Sequence, residues 1–289
     1  IVPFGLYFVL STIIQLQFLN PAAVDFFQLA VAFEDIDPNA EIEDLSVFTA
    51  FFGAMFAFFG WAAILAVLAG IAGASMAAAW HRTTLIGLDA PRTGFGFFFG
   101  RSELNYFFRA LLMVLITVAA LFAYSIIASI LFGIIAAAMA LGAPAGGGVD
   151  VMVIALMVIM GVGGFLLWLY LWSKLIMCLP ASALGIQSFG FGQAWSATNG
   201  HVGRLMLTYA GLLLPLSIVG VVVSWGLDQA FGMGGDPNAP TVAEMNRTLL
   251  VSVVPTFLIT AFSTALIASG MSYTYYRLGQ PPEWVEKVF

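Results

Sequence analysis

Charge is what this chain has least of. Asp, Glu, Lys and Arg together make up 8% of its 289 residues, where soluble domains carry about 25%. So little charge cannot coat a water-soluble globule, and no basic stripe exists to follow a phosphate backbone, which excludes nucleic acid as a partner. Cysteine is scarcer still. Cys178 stands alone, so neither an intramolecular disulfide nor a thiolate metal cluster is expected. Two histidines, His81 and His201, leave little material for a redox cofactor. No GxSxG elbow, HExxH, P-loop or strand-borne GxGxxG occurs. No Asp or Glu stands mid-way along an apolar run, where ion-coupled pumps keep them. The expectation is a non-enzymatic protein without cofactor or metal.

Apolar residues are abundant instead. They make up 62% of the chain, with 27 Phe, 8 Tyr and 7 Trp, and the mean hydropathy is +1.03. Such a chain is an integral membrane protein. Its charge-free runs cover 1–24, 45–80, 110–149, 151–173, 205–227 and 248–276. About 20 residues at 1.5 Å rise cross the hydrocarbon, and only helices or closed barrels satisfy their backbone there. The runs predict six helices, at 1–19, 47–79, 107–140, 151–179, 204–229 and 249–276. The opening "IVPFGLYFVL" has no initiator Met and no basic segment. It reads as a shortened start rather than a signal peptide.

Lys and Arg set the expected orientation. The 20–46 connection has neither, but holds Asp25, Glu34, Asp35, Asp37, Glu41, Glu43 and Asp44. The opposing connections hold Arg82, Arg92, Arg101, Arg109, Lys174 and Arg204, the tail holds Arg277 and Lys287, and only Arg247 stands on the acidic side, near the start of the sixth helix. Both termini are therefore expected in the cytoplasm, in a bacterial inner membrane, with the acidic loops outside.

Three segments read as copies of one unit. "DPNA" precedes the second and sixth helices, at 37–40 and 236–239. "TTLIGLDAPRTG", "ASALGIQSFGFG" and "YYRLGQPPEW" each place a hydrophobic-Gly pair after an even helix, at Gly87, Gly185 and Gly279. The units run about 1–87, 88–185 and 186–279, with a tail at 280–289, inside one membrane domain. The fold class expected is all-α, a six-transmembrane-helix bundle of three parallel helical-hairpin repeats with cytoplasmic interfacial amphipathic segments. One such segment is 191–205. Phe191, Ala194, Trp195, Thr198, Val202 and Leu205 fall on one side, with Gln193, Ser196, His201 and Arg204 on the other. The other is 97–109, where Arg101, Ser102, Asn105 and Arg109 oppose Phe97, Leu104, Phe107 and Phe108.

"AWHRTTLIG" at 79–87 is the densest polar cluster at a helix end. Trp80 suits the aromatic belt, and Arg82 suits a cytoplasmic anchor. His81 between them is compatible with headgroup contact, plain anchoring or, paired with His201, axial haem ligation. Trp80, His81, Arg82, Arg101, Arg109, Trp195, His201 and Arg204 thus form an expected cytoplasmic rim that meets lipid headgroups or an acidic partner. Lys174 is expected to snorkel beside them. Ala69, Gly73 and Ala77 are small-xxx-small steps and predict a packing seam. "GVGG" at 161–164 offers a bend or a place for a neighbour. Thr256, Thr260, Ser263, Thr264 and Thr274 make a hydroxyl stripe, read as a hydrated path or as interhelical bonding. "DIDPN" at 35–39 begins a calcium-loop pattern but lacks its Gly and terminal Glu, so it reads as a solvated acidic loop.

Trp80-His81-Arg82 with Leu85 and Gly87, then Ala194, Trp195, Thr198 and Gly200, resembles uncharacterised polytopic proteins of alphaproteobacterial inner membranes. The second motif is also distantly similar to the membrane domain fused to some glycerophosphodiester phosphodiesterases. The likeness implies a multi-pass fold but no activity, since the phosphodiesterase catalytic domain has no counterpart here. Two functions stay open. One is an accessory or scaffold subunit that binds membrane lipids, a larger membrane complex or itself. The other is a transporter or channel for a neutral or amphipathic solute.

Overall fold

The computed structural model describes residues 2–34, 45–87, 100–142, 149–231 and 241–279, and among them every regular element is a helix. In order these are α1 (Val2–Ile14), a π turn (Gln15–Leu19), α2 (Asn20–Glu34), α3 (Leu45–Ile86), α4 (Arg101–Gly142), α5 (Val149–Leu175), α6 (Cys178–Ala183), α7 (Phe191–Ala197), α8 (Val202–Phe231) and α9 (Val242–Leu278). Six helical stretches are long and apolar enough to cross a membrane: Gly5–Val31, Ser46–Ile86, Arg101–Ile135, Met157–Ala183, Val202–Phe231 and Val242–Leu278. The chain is a multi-pass helical membrane protein.

The ends differ from those the charge-free runs predict. The first helix does not stop at 19. Its π turn carries the Asn20 N–H to the Gln15 carbonyl, and that widened turn takes up the Pro21 ring, which a regular helix would press against the carbonyl four residues back. The last helix begins at Val242 rather than 249 because Thr241 and Glu244 close a capping box. Glu244 Oε2 accepts the Thr241 N–H at 2.8 Å, and Thr241 Oγ1 accepts the Glu244 N–H at 3.2 Å. The predicted flat helix 191–205 is broken: α7 ends at Ala197, and a turn with Gly200 at φ +80° leads into α8. Over its described residues, the predicted flat helix at 97–109 is instead the first turns of α4.

Two of the glycine stops do what only glycine does easily. Gly87 (φ +90°) closes α3 by donating its N–H to Thr83 O at 3.0 Å. Gly185 (φ +77°) follows α6, with Gly185 N–H to Ser182 O at 3.0 Å and Ile186 N–H to Ala181 O at 2.9 Å. The first is a single-bond left-handed cap and the second a Schellman motif. Both "DPNA" segments and the calcium-like loop lie outside the described residues.

The chain divides into two compact units. One comprises Ile1–Trp80, Asp89–Gly100 and Leu213–Ile267; the other comprises His81–Leu88, Arg101–Leu212 and Ala268–Phe289. In the first, aromatic rings bridge α1–α2 to α3 and α9. Phe18 stacks on Trp61 at 4.4 Å, Phe26 on Phe58 at 5.6 Å, and Phe8 meets Phe257 edge-on at 4.9 Å. Asn20 Nδ2 donates to Asn246 Oδ1 at 2.8 Å, a polar tie between α2 and α9. The expected seam on α3 is buried in part. A Cβ on Gly73 would meet nothing within 4 Å, and Ala69 is only half-buried. Ala77 is buried, but on α3 it sits with Leu65, Ala72, Ala74 and Ala78. Small size alone does not tell which side of an apolar helix faces a neighbour.

In the second unit the stretch from Ser173 to Ala183 is entirely buried, and α4 packs along both α5 and α6. "GVGG" receives a side chain from α4: the Tyr124 ring lies against Gly163 and Gly164, and its hydroxyl donates to Met160 O at 2.8 Å. A Cβ on Gly163 would collide with the Tyr124 oxygen. Gly163→Ala is therefore expected to cost about 1–3 kcal/mol by overpacking. Adding Tyr124→Phe should recover part of that loss, as measured by unfolding in mixed micelles.

Candidate functional site

The Arg-bearing helix ends of the second unit hold most of its buried polar groups. His81, in the last turns of α3, has no exposed surface. Its Nδ1 lies 2.7 Å from Ser272 Oγ on α9, and its Nε2 lies 3.3 Å from the Tyr106 hydroxyl on α4. Both partners are hydroxyls that donate or accept, so either neutral tautomer is satisfied. One imidazole thus ties three helices together, and both ring nitrogens are engaged. His201 is exposed on the turn before α8.

Arg82 follows on the next position of α3. Its Nη1 pairs with Glu103 Oε1 at 2.5 Å, with the two side chains only 16% and 7% exposed. Its Nη2 donates to Ser102 Oγ at 2.6 Å and its Nε to Ala183 O at 2.8 Å. Ala183 closes α6, where carbonyls have no helical partner, and a cation is the favoured group there. Arg109 on α4 serves the other end and the exit loop. It donates to Phe189 O at 2.5 Å, Gln187 O at 3.1 Å and, more weakly, Cys178 O at 3.4 Å. Two guanidiniums from two long helices thus clamp one short buried one.

Lys174 is 3% exposed. Its Nζ donates to Asn199 Oδ1 at 2.6 Å and to Trp195 O at 3.4 Å, and stands 5.0 Å from the Trp195 ring. It does not snorkel. The break between α7 and α8 folds the turn back over it.

The expected rim therefore separates into two sets. His81, Arg82 and Arg109 enter the network, while Arg101, His201 and Arg204 are exposed, with Trp80 and Trp195 about 40% and 39% exposed. The reason lies in α4. Glu103 and Tyr106 are buried and Ser102, Asn105 and Arg109 half-buried, whereas Leu104 and Phe108 are exposed. In lipid the polar side of a helix turns toward protein and the apolar side outward, the reverse of an interfacial helix floating on a bilayer. Part of the hydroxyl stripe is spent likewise: Thr274 donates to Gly270 O at 2.9 Å and accepts from Tyr209 at 3.4 Å.

Sequence reasoning passed over Glu103, Tyr106 and Ser272, and placed Ser102 only in a polar stripe. Glu103 had a signal, as the lone acid between Arg101 and Arg109. Ser272 had none, standing 191 positions from its partner. An open groove of about 790 Å³ lies between α7 and the end of α9, lined by Phe189, Gly192, Gln193, Ser196, Ala197, Leu278 and Gly279.

No protein-family model, curated protein or solved structure matches this chain. The class therefore rests on the fold: an all-helical polytopic membrane protein.

Proposed function

We propose that this protein is a non-enzymatic accessory or scaffold subunit of a bacterial inner membrane, with both termini cytoplasmic. It binds lipid or another membrane protein through its outer helix faces. One observation carries the reading. His81, Arg82, Glu103, Arg109 and Lys174 are engaged inside the protein, while α4 leaves Leu111, Leu112, Val114, Leu115, Ile116 and Val118 all exposed. An apolar face that wraps so far round a helix needs a hydrocarbon or protein neighbour. Arg101, Arg204 and His201, with Trp80 and Trp195, supply the headgroup contacts. The threefold hairpin repeat belongs to the same proposal, supported by the left-handed glycines after α3 and α6.

The test is mild-detergent purification followed by mass spectrometry of whatever co-elutes. A stoichiometric membrane protein or a retained lipid species is expected, and homogeneous protein carrying only bulk lipid would contradict the reading. The alternative, a transporter for a neutral or amphipathic solute, draws on the groove beside α7, whose Gln193 and Ser196 suit such a solute. Solute flux in liposomes tests it.

A further inference from the structure

Asn199-Gly200 is the chain's single Asn-Gly pair. We infer that it is a self-modification site, where Asn199 is converted to aspartate and thereby gives Lys174 the carboxylate it lacks. The observations come from two elements. Asn199 and Gly200 are both exposed, in the turn between α7 and α8. The turn's backbone bonds run from Asn199 N–H to Ser196 O and from His201 N–H to Thr198 O, both 3.1 Å, and leave the Gly200 nitrogen out. Gly200 has no side chain to shield that nitrogen. From α5, Lys174 Nζ reaches the Asn199 amide at 2.6 Å. An ammonium only donates, so the atom facing it is the oxygen.

These are the parts of an intramolecular acyl transfer. The Gly200 nitrogen loses its proton and attacks Asn199 Cγ. The N–Cγ bond forms, the Cγ–Nδ2 bond breaks, and ammonia leaves. Water then opens the resulting succinimide at one of its two carbonyls, giving aspartate or isoaspartate. The net change is water consumed and ammonia released, with no oxidant or reductant. Lys174 donates to the oxygen on which negative charge develops in the first step, the role of an oxyanion-hole donor.

The product is favoured by the same contact. Arg82 has Glu103, whereas among the described residues Lys174 has no acidic side chain within 4.0 Å, only a carbonyl, an amide oxygen and an indole face. A buried cation held by neutral acceptors gains from a carboxylate placed at the same oxygen. Conversion to aspartate would tighten the α7–α8 turn onto α5. Conversion to isoaspartate would add a backbone atom and loosen it.

The test is incubation of the intact purified protein at mildly alkaline pH, followed by peptide mass spectrometry that resolves the one-dalton gain and separates aspartate from isoaspartate. Asn199 is expected to convert faster than Asn20, Asn105 or Asn246, mostly to aspartate, with Lys174→Met slowing it by about tenfold and Lys174→Arg restoring most of the rate. Asn199→Asp is expected to raise the unfolding midpoint by a few degrees, and it remains measurable if Lys174→Met does not fold. An Asn199 that stays an amide while a free peptide of residues 195–204 converts would overturn the proposal. So would an Asn199→Asp protein that melts below the parent.

Discussion

Replacing Arg82 by Met is expected to destabilise the protein by about 3–5 kcal/mol, because it strands a carboxylate that is nearly all buried. Glu103 is 7% exposed and its other neighbour, Ser102 Oγ, lies 3.1 Å away. A hydroxyl does not neutralise a charge in low dielectric. The same substitution frees the Ala183 carbonyl at the end of α6, so its effect should reach the packed stretch from Ser173. Glu103→Leu alone should cost comparably, since it leaves the guanidinium uncompensated. The double variant should cost clearly less than the sum, because two apolar residues ask for no partner. Unfolding free energies for the four proteins in mixed micelles give the coupling directly. Additive losses would mean that the two side chains do not act as a pair.

The second large effect is expected at His81. Truncation to Ala removes a fully buried ring and leaves both the Ser272 and Tyr106 hydroxyls without their partner. A cavity and two unsatisfied groups, at about 1–3 kcal/mol for each group, sum to several kcal/mol. His201→Ala, at an exposed position, should stay within about 0.5 kcal/mol. The contrast matters because the two histidines look alike in sequence, each beside an Arg or near one at a helix end. Gln at position 81 retains some hydrogen-bonding capacity and should recover part of the loss. Equal effects at 81 and 201 would contradict the network.

What could be read from the sequence follows from which forces are local. Hydropathy summed over a run is insensitive to tertiary detail, so the six spans emerge from it. Helix ends are less legible, because a charge-free run does not mark where a helix begins or stops. Arg101, Glu103 and Arg109 sit inside α4, where pairing and carbonyl bonds tolerate them. Thr241-Val-Ala-Glu244 was a readable capping box that the nearby charges obscured. Asn199-Gly200 was likewise a readable break in 191–205, overridden by a good amphipathic pattern. Gly87 and Gly185 were recognisable as stops because a left-handed residue after a helix is a local requirement.

The candidate site was only half accessible. The sequence identified the polar residues at the helix ends, but a cation's direction depends on what faces it. For Arg109 those partners are the carbonyls of Cys178, Gln187 and Phe189, groups that every residue carries and that leave no trace in a sequence. The positive-inside rule accounts for which side the cations occupy. It is silent on whether each one looks into the protein or out to the headgroups.

A neutralisation scan would show whether the buried and exposed cations differ. Unfolding free energy would be measured in the same lipid–detergent mixture for Arg82→Met, Arg109→Met and Lys174→Met against Arg101→Gln and Arg204→Gln. Two separate groups are expected: losses above about 1 kcal/mol for the first three, largest at Arg82, since each strips partly buried oxygens of their donor, and about 0.5 kcal/mol or less for the exposed pair. A uniform set of small losses would show that all five cations are interchangeable surface anchors, and the buried network would have no energetic reality.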